Sequence, residues 1–202
     1  MGNTGYLFTS LGTSGVIIHM YVFTTLIGQL VAPYGISEQS FVVDMGLFVF
    51  GFGILGGVLF SIVLTYYPEK MTSASYIICI TSVLSLAFFF AADVKAVKSE
   101  ILIACSILGF CLLPILFVAY ELAVTQTAHL GVGESMSCGI INVIANLFGF
   151  IIAIGLTPAL DKETKDSTTI TFAVMFINLA IALLFLILGS VCTGSNNREM
   201  KD

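Results

Sequence analysis

The sequence predicts an all-α integral membrane protein with six transmembrane helices, and three observations carry that reading. Hydrophobic residues fill 58% of the 202 positions and charged residues only 9%, with a mean hydropathy of +1.08; a soluble domain carries far more charge. Apolar runs of about 20 residues, the length a helix needs to cross about 30 Å of hydrocarbon, recur along the chain. Period-2 alternation is missing, which excludes an outer-membrane barrel with one lipid face and one polar face per strand.

The spans follow from where polarity interrupts the runs. They cover approximately Ser10 to Pro33, Phe41 to Tyr67, Ser73 to Ala92, Ile101 to Val124, Ser135 to Pro158 and Thr168 to Thr193. Between them lie the polar separators "YGISEQS", "PEKMT", "DVKAVKSE", "QTAHLGVGE" and "DKETKDS". Only Asp44 and Glu121 of the charged residues fall inside these spans, as expected when an ionised group at the bilayer centre costs several kcal/mol. The first span is not read as a signal peptide, because it lacks a basic leader and is too long for an h-region.

Six spans place both termini on one side. Basic residues do not orient the chain: Lys70, Arg198 and Lys201 lie on the terminus side and Lys95, Lys98, Lys162 and Lys165 on the other. The net charge of −5 comes with no basic stripe, so nucleic acid is not an expected partner. Cys79, Cys105, Cys111, Cys138 and Cys192 all sit in apolar runs without CxxC spacing and read as small hydrophobes. His19 and His129 stand in different elements, and no metal, cofactor or catalytic motif is expected.

Small and polar residues inside the spans carry the functional reading. In "GLFVFGFGILGG", Gly46, Gly51, Gly53, Gly56 and Gly57 are placed for close helix packing. In the fifth span Ser135, Gly139, Asn142, Asn146, Gly149 and Ala153 recur at spacings of three and four, one stripe of amides and tiny side chains on a helix. Two roles stay open for this stripe: amides that glue neighbouring helices together, or a polar wall facing water or solute in a lumen. Tyr21, Thr25 and Gly28 form a comparable stripe on the first span.

The order of features from "HMYVFTTLIGQLV" to "PILFVAYELAVTQTAHLGVGESMSCGIINVIANLFGFIIAIGLTPALD" resembles the carboxy-terminal half of transporters of the feline leukaemia virus subgroup C receptor family, in the major facilitator superfamily. The run Pro114, Glu121, Ala123 and Val124, then Glu134, Gly139, Asn142, Phe148, Gly149 and Asp161, carries the resemblance. It covers nearly the whole chain. It implies one major-facilitator-type six-helix bundle over residues 1–202, corresponding to the family's seventh to twelfth helices. It further implies a central site between two bundles, cytosolic termini in a plasma or organellar membrane, and a small organic cation such as choline or ethanolamine as solute.

The resemblance places the family's aromatic and amide site positions on Tyr21 and Asn146, the latter shorter than the family's glutamine, with Thr25 and Asn142 beside them. Glu121, Glu134, Gly139 and Gly149 take gating or structural roles. Glu121, near a span end, also reads as a solvated helix terminus. One departure is the loop "LTYYPEKMTSAS", which lacks the Asp-Arg latch of the superfamily. A bundle of six helices supplies one wall of such a site, so a second bundle or a larger membrane complex is the expected partner besides lipid. The alternative is a fragmentary carrier half reused as a structural or accessory subunit.

Overall fold

The structure, a computed structural model, describes residues 4–128, 133–160 and 164–199, with side chains through Cys192. Apart from short connections, these residues are helical. Helix α1 covers Thr4–Val31 and ends in a 3-10 turn, Ala32–Tyr34. Helix α2 covers Gln39–Tyr66, and a second 3-10 turn, Pro68–Lys70, leads into α3, Met71–Lys95. Helices α4, Lys98–Leu112, and α5, Pro114–Thr127, are followed by α6, Glu134–Leu160, and α7, Lys165–Glu199. These make six stretches long and apolar enough to cross a membrane, since α4 and α5 are two halves of one span. The chain is a multi-pass membrane protein.

Helices outrun the expected spans because a polar residue at a helix end still closes backbone hydrogen bonds that lipid cannot replace. At the third separator α3 continues through Asp93, Val94 and Lys95. The longer helices take in Glu69, Lys70, Asp93, Lys95, Lys98, Glu100, Glu134, Lys165 and Asp166 besides Asp44 and Glu121, which corrects the expected pair, and among the described charged residues Asp93 alone is buried. Pro114 breaks the fourth span. Without an N–H it cannot donate to the Phe110 carbonyl one turn back, so the helix restarts there with proline at its first position.

One hydrophobic cluster takes side chains from all seven helices. Helix α1 lies deepest: 67% of its most apolar stretch is buried, against 28% for α2 and 22% for α6. The contacts fall into a repeat. Helices α1, α2 and α3 form one triplet, and α4–α5, α6 and α7 form another. The leading helix of each triplet packs on the second and third of the other: α1 on α6 and α7, α4 on α2 and α3. A triplet has an odd number of spans, so the second crosses in the opposite sense to the first.

Glycine decides where backbones meet. A Cβ on Gly56 would run into the Phe110 carbonyl, the one freed by Pro114, and a Cβ on Gly109 into the Val49 carbonyl. Gly53 and Gly57 accept Leu113 and Phe117 at the same α2 crossing. Across α1 and α7, a Cβ on Gly12 would lie 2.8 Å from the Leu186 nitrogen and one on Gly15 2.7 Å from Ala182 Cβ. Gly46 and Gly51 meet nothing within 4 Å, so the close packing expected of them is absent. An aromatic layer joins α1, α3 and α7: Phe23 meets Phe89 edge-on at 4.9 Å, and Phe89 and Phe90 reach Phe172 at 6.0 and 4.8 Å.

Gly109→Ala is expected to lower stability by about 1–3 kcal/mol, since neither backbone at that crossing can yield without parting the helices. Gly46→Ala and Gly51→Ala should be neutral or stabilising by up to about 1 kcal/mol through helix propensity. Thermal melts of the three variants in detergent check the contrast.

Candidate functional site

A polar patch forms where α1, α5 and α6 meet. Tyr21 stands in the middle of α1, half-buried, because the α1 residues on either side turn inward to the α7 contact. Across from it Gly149 on α6 has no side chain; a Cβ there would sit 3.7 Å from Tyr21 Cβ, in ordinary contact. The Tyr21 hydroxyl is within hydrogen-bonding reach of the Asn146 side chain and in electrostatic range of Tyr120. Thr25, one turn along α1 and exposed, donates to the Tyr21 carbonyl at 2.7 Å.

The two amides of α6 behave differently. The Tyr120 hydroxyl of α5 donates to Asn142 Oδ1 at 2.8 Å, which ties α5 to α6. Asn146 donates only to the Asn142 backbone carbonyl, at 2.8 Å, and is exposed. The Thr25 hydroxyl and an Asn146 N–H are thus satisfied within their own helices, and the α6 surface around Asn146 also exposes Val143, Leu147 and Phe150. Asn142 ties two helices together, while Asn146 combines an intrahelical bond with its reach to Tyr21 of α1.

Beside the patch, between α2, the start of α3 and α5, lies an open cleft of about 460 Å³ lined by Ser61, Thr65, Met71, Phe117, Tyr120 and Glu121. Tyr120 belongs to both places, its ring on the cleft and its hydroxyl on Asn142. Glu121 is exposed there and forms no ion pair among the described residues. The cleft thus presents one carboxylate, two aromatic rings and two hydroxyls.

Of the residues expected at the site, Tyr21, Thr25, Asn142, Asn146 and Gly149 come together. Gly28 does not join them; a Cβ there would lie 3.3 Å from a Val42 methyl. Gly139 meets nothing within 4 Å, and Glu134 is the exposed first residue of α6. His129 and Asp161 lie outside the described residues. His19 faces away from the patch, buried beside Val174, Met175 and Asn178. Among the described residues no three His, Cys, Asp or Glu side chains are grouped to hold a metal.

Tyr120 is the residue that the periodicity missed. It precedes Glu121 within the "PILFVAYELAV" run, and a tyrosine among aliphatic residues marks a polar tip in need of a partner. A second omission is the network at the end of the bundle holding the α1 N-terminus, where Thr127 and Ser137 hydroxyls meet at 2.6 Å and Tyr6 donates to the Ser137 carbonyl at 3.2 Å. No protein-family model matches the chain.

Tyr120→Phe deletes the hydroxyl that holds Asn142. A double-mutant cycle with Asn142→Leu is expected to give a coupling of about 0.6–2 kcal/mol in thermal stability, the range of interhelical hydrogen bonds in membranes. Additive losses would show that the bond carries no weight.

Proposed function

We propose that this chain is one six-helix half of a major-facilitator-type carrier, working against a second bundle to move a small organic cation of the choline or ethanolamine kind. The observation that carries the reading is the patch in which half-buried Tyr21, Asn142 and Tyr120 adjoin exposed Asn146. The triplet repeat supports the fold side of it, since halves of such carriers are built from two inverted three-helix repeats with the site near the bilayer midplane.

The residue types suit the solute. A fully methylated ammonium donates no classical hydrogen bond, so it is held by aromatic faces through their quadrupoles, at about 0.5–2 kcal/mol each. Tyr21 supplies such a face within the patch. Tyr120 and Phe117 supply further rings toward the cleft, where Glu121 raises the local concentration of cations without being needed in the site itself. Amide oxygens complete the shell by dipole. The hydroxyl or amine of a choline-like solute finds partners in Asn146 and Thr25. With its termini in the cytosol, the cleft opens on that side.

One bundle is one wall. Purified chain reconstituted alone should be silent in choline and ethanolamine uptake, and should gain uptake when a complementary bundle is supplied.

Binding is tested in that assembly by ligand-induced thermal shift with choline. Asn146→Leu and Tyr21→Ala should weaken binding, the latter by up to about thirtyfold, corresponding to about 2 kcal/mol. Asn142→Leu, the brace, should lower the unliganded melting temperature more than the ligand response. A normal choline response in both Asn146→Leu and Tyr21→Ala would assign the patch to packing. The chain would then read as a structural or accessory subunit.

A further inference from the structure

The last turn of α3 encloses a carboxyl group that the carrier reading does not use. Asp93 has no exposed surface, and neither of its carboxyl oxygens has a hydrogen-bond partner among the described residues. The Thr168 hydroxyl, in the first turn of α7, is equally enclosed and equally unpartnered. The two belong to one layer. Helices α3 and α7 run antiparallel, Phe89 and Phe90 meet Phe172, and one further turn along each helix brings position 93 opposite position 168.

The charged and titratable groups around this layer come from each helix that reaches it. From α4, Cys105 lies within electrostatic range of Asp93, and from the end of α1 so does Tyr34. From α7, Lys165 is held over the Tyr34 ring, 5.4 Å from its centroid, and Asp166 is exposed. Lys95 and Lys98, the nearest cations in sequence, are engaged in exposed pairs with Glu100 and Glu38 at 3.0 and 2.7 Å. Helix α5 and the turn before α3 lie at the other end of the bundle. No cation therefore pairs with Asp93 among the described residues.

Enclosing an unpaired carboxylate costs several kcal/mol even after relaxation, and acids inside membrane proteins are characteristic of ion and proton pathways. Among the described residues no positive charge balances an ionised carboxyl in this layer. A hard metal cation calls for several oxygen ligands at once, whereas among the described residues one carboxyl and one hydroxyl stand unpartnered in this layer. A proton requires neither more ligands nor more room.

We propose that Asp93 is a proton-binding site, filled in the closed arrangement seen here and emptied when the ends of α3, α4 and α7 part at this side of the membrane. On opening, the carboxyl O–H bond breaks, the proton passes to water entering beside the partly exposed Tyr34, and the carboxylate left behind is hydrated. On closing, the reverse step restores the neutral acid, with the Thr168 hydroxyl as its neighbour. The site lies a helix half-length from the Tyr21 patch and stands independently of the solute.

Infrared difference spectroscopy of the full chain in nanodiscs reads the proton directly. At neutral pH the wild type should show the carbonyl stretch of a protonated carboxylic acid, shifted in heavy water, lost in D93N and displaced but retained in T168V. Absence of the band in the wild type, or its survival in D93N, overturns the proposal. The wild-type band and its T168V shift keep the test available if D93N does not fold.

A second readout separates proton from metal. The folded state would hold a proton that the unfolded chain releases, so the wild-type melting temperature should fall relative to D93N as pH rises above about 4, where an unfolded aspartate ionises, and level off once the folded-state acid ionises. It should be equal in sodium and potassium salts. A sodium-specific stabilisation that D93N abolishes would replace the proton with sodium and overturn the assignment.

Discussion

Lipid gives helices no hydrophobic reason to associate, so everything in this bundle rests on how closely backbones can approach. Two crossings provide that approach, α1 with α7 and α2 with α4, and glycines from both partners lie at each: Gly12, Gly15 and Gly189 at the first, Gly56 and Gly109 at the second. At the second, Pro114 adds a further element. By withholding an N–H from Phe110 it leaves a carbonyl in the gap over Gly56, where only a Cα–H can meet it. The break in the fourth span and the glycines of the second helix are thus one device. Helix α5 begins at this device and carries Tyr120 to its bond with Asn142 of α6.

Polar side chains inside the bundle divide by whom they bond. Most hydroxyls turn back on their own helix: Thr13, Thr24, Ser82, Thr157 and Thr171 each donate to a carbonyl four residues earlier. Such bonds satisfy the hydroxyl without tying helices together. A smaller set reaches across. Asn178 donates to the Gly15 carbonyl at 2.8 Å, Tyr76 to the Leu186 carbonyl at 3.0 Å, and Tyr120 to Asn142. The first two sit along the α7 seams and lock its register against α1 and α3. The third lies on the open side, where the same bond also shapes a surface.

The two functional assignments share α1, the most buried helix. Tyr21 at its middle borders the patch, and Tyr34 just beyond its end borders the Asp93 layer. Between them run Phe23 and its aromatic contacts to α3, a stiff connection because packed rings cannot slide past one another in small steps. A tilt of α1 that widened the polar face would therefore be felt at Tyr34.

The number of spans, their order and the amide stripe of α6 were legible in one dimension, because hydropathy and a period of 3.6 are properties of the chain before it packs. The glycines were legible only as a class: sequence marks Gly46 and Gly51 as readily as Gly53, Gly56 and Gly57, and only the path of α4 and α5 decides which are crossed. Tyr120 gained its role from α6, a partner across the bundle. Asp93 shows the limit most sharply. Its local surroundings, "DVKAVKSE", are those of a solvated turn, and polarity along the chain reads it as such. Helix α3 runs three residues past Ala92, and α4 and α7 close over it, turning a loop acid into an enclosed one. Burial is set by neighbours distant in sequence, so the chain determined that the carboxyl was present and the packing determined that it was cut off from water.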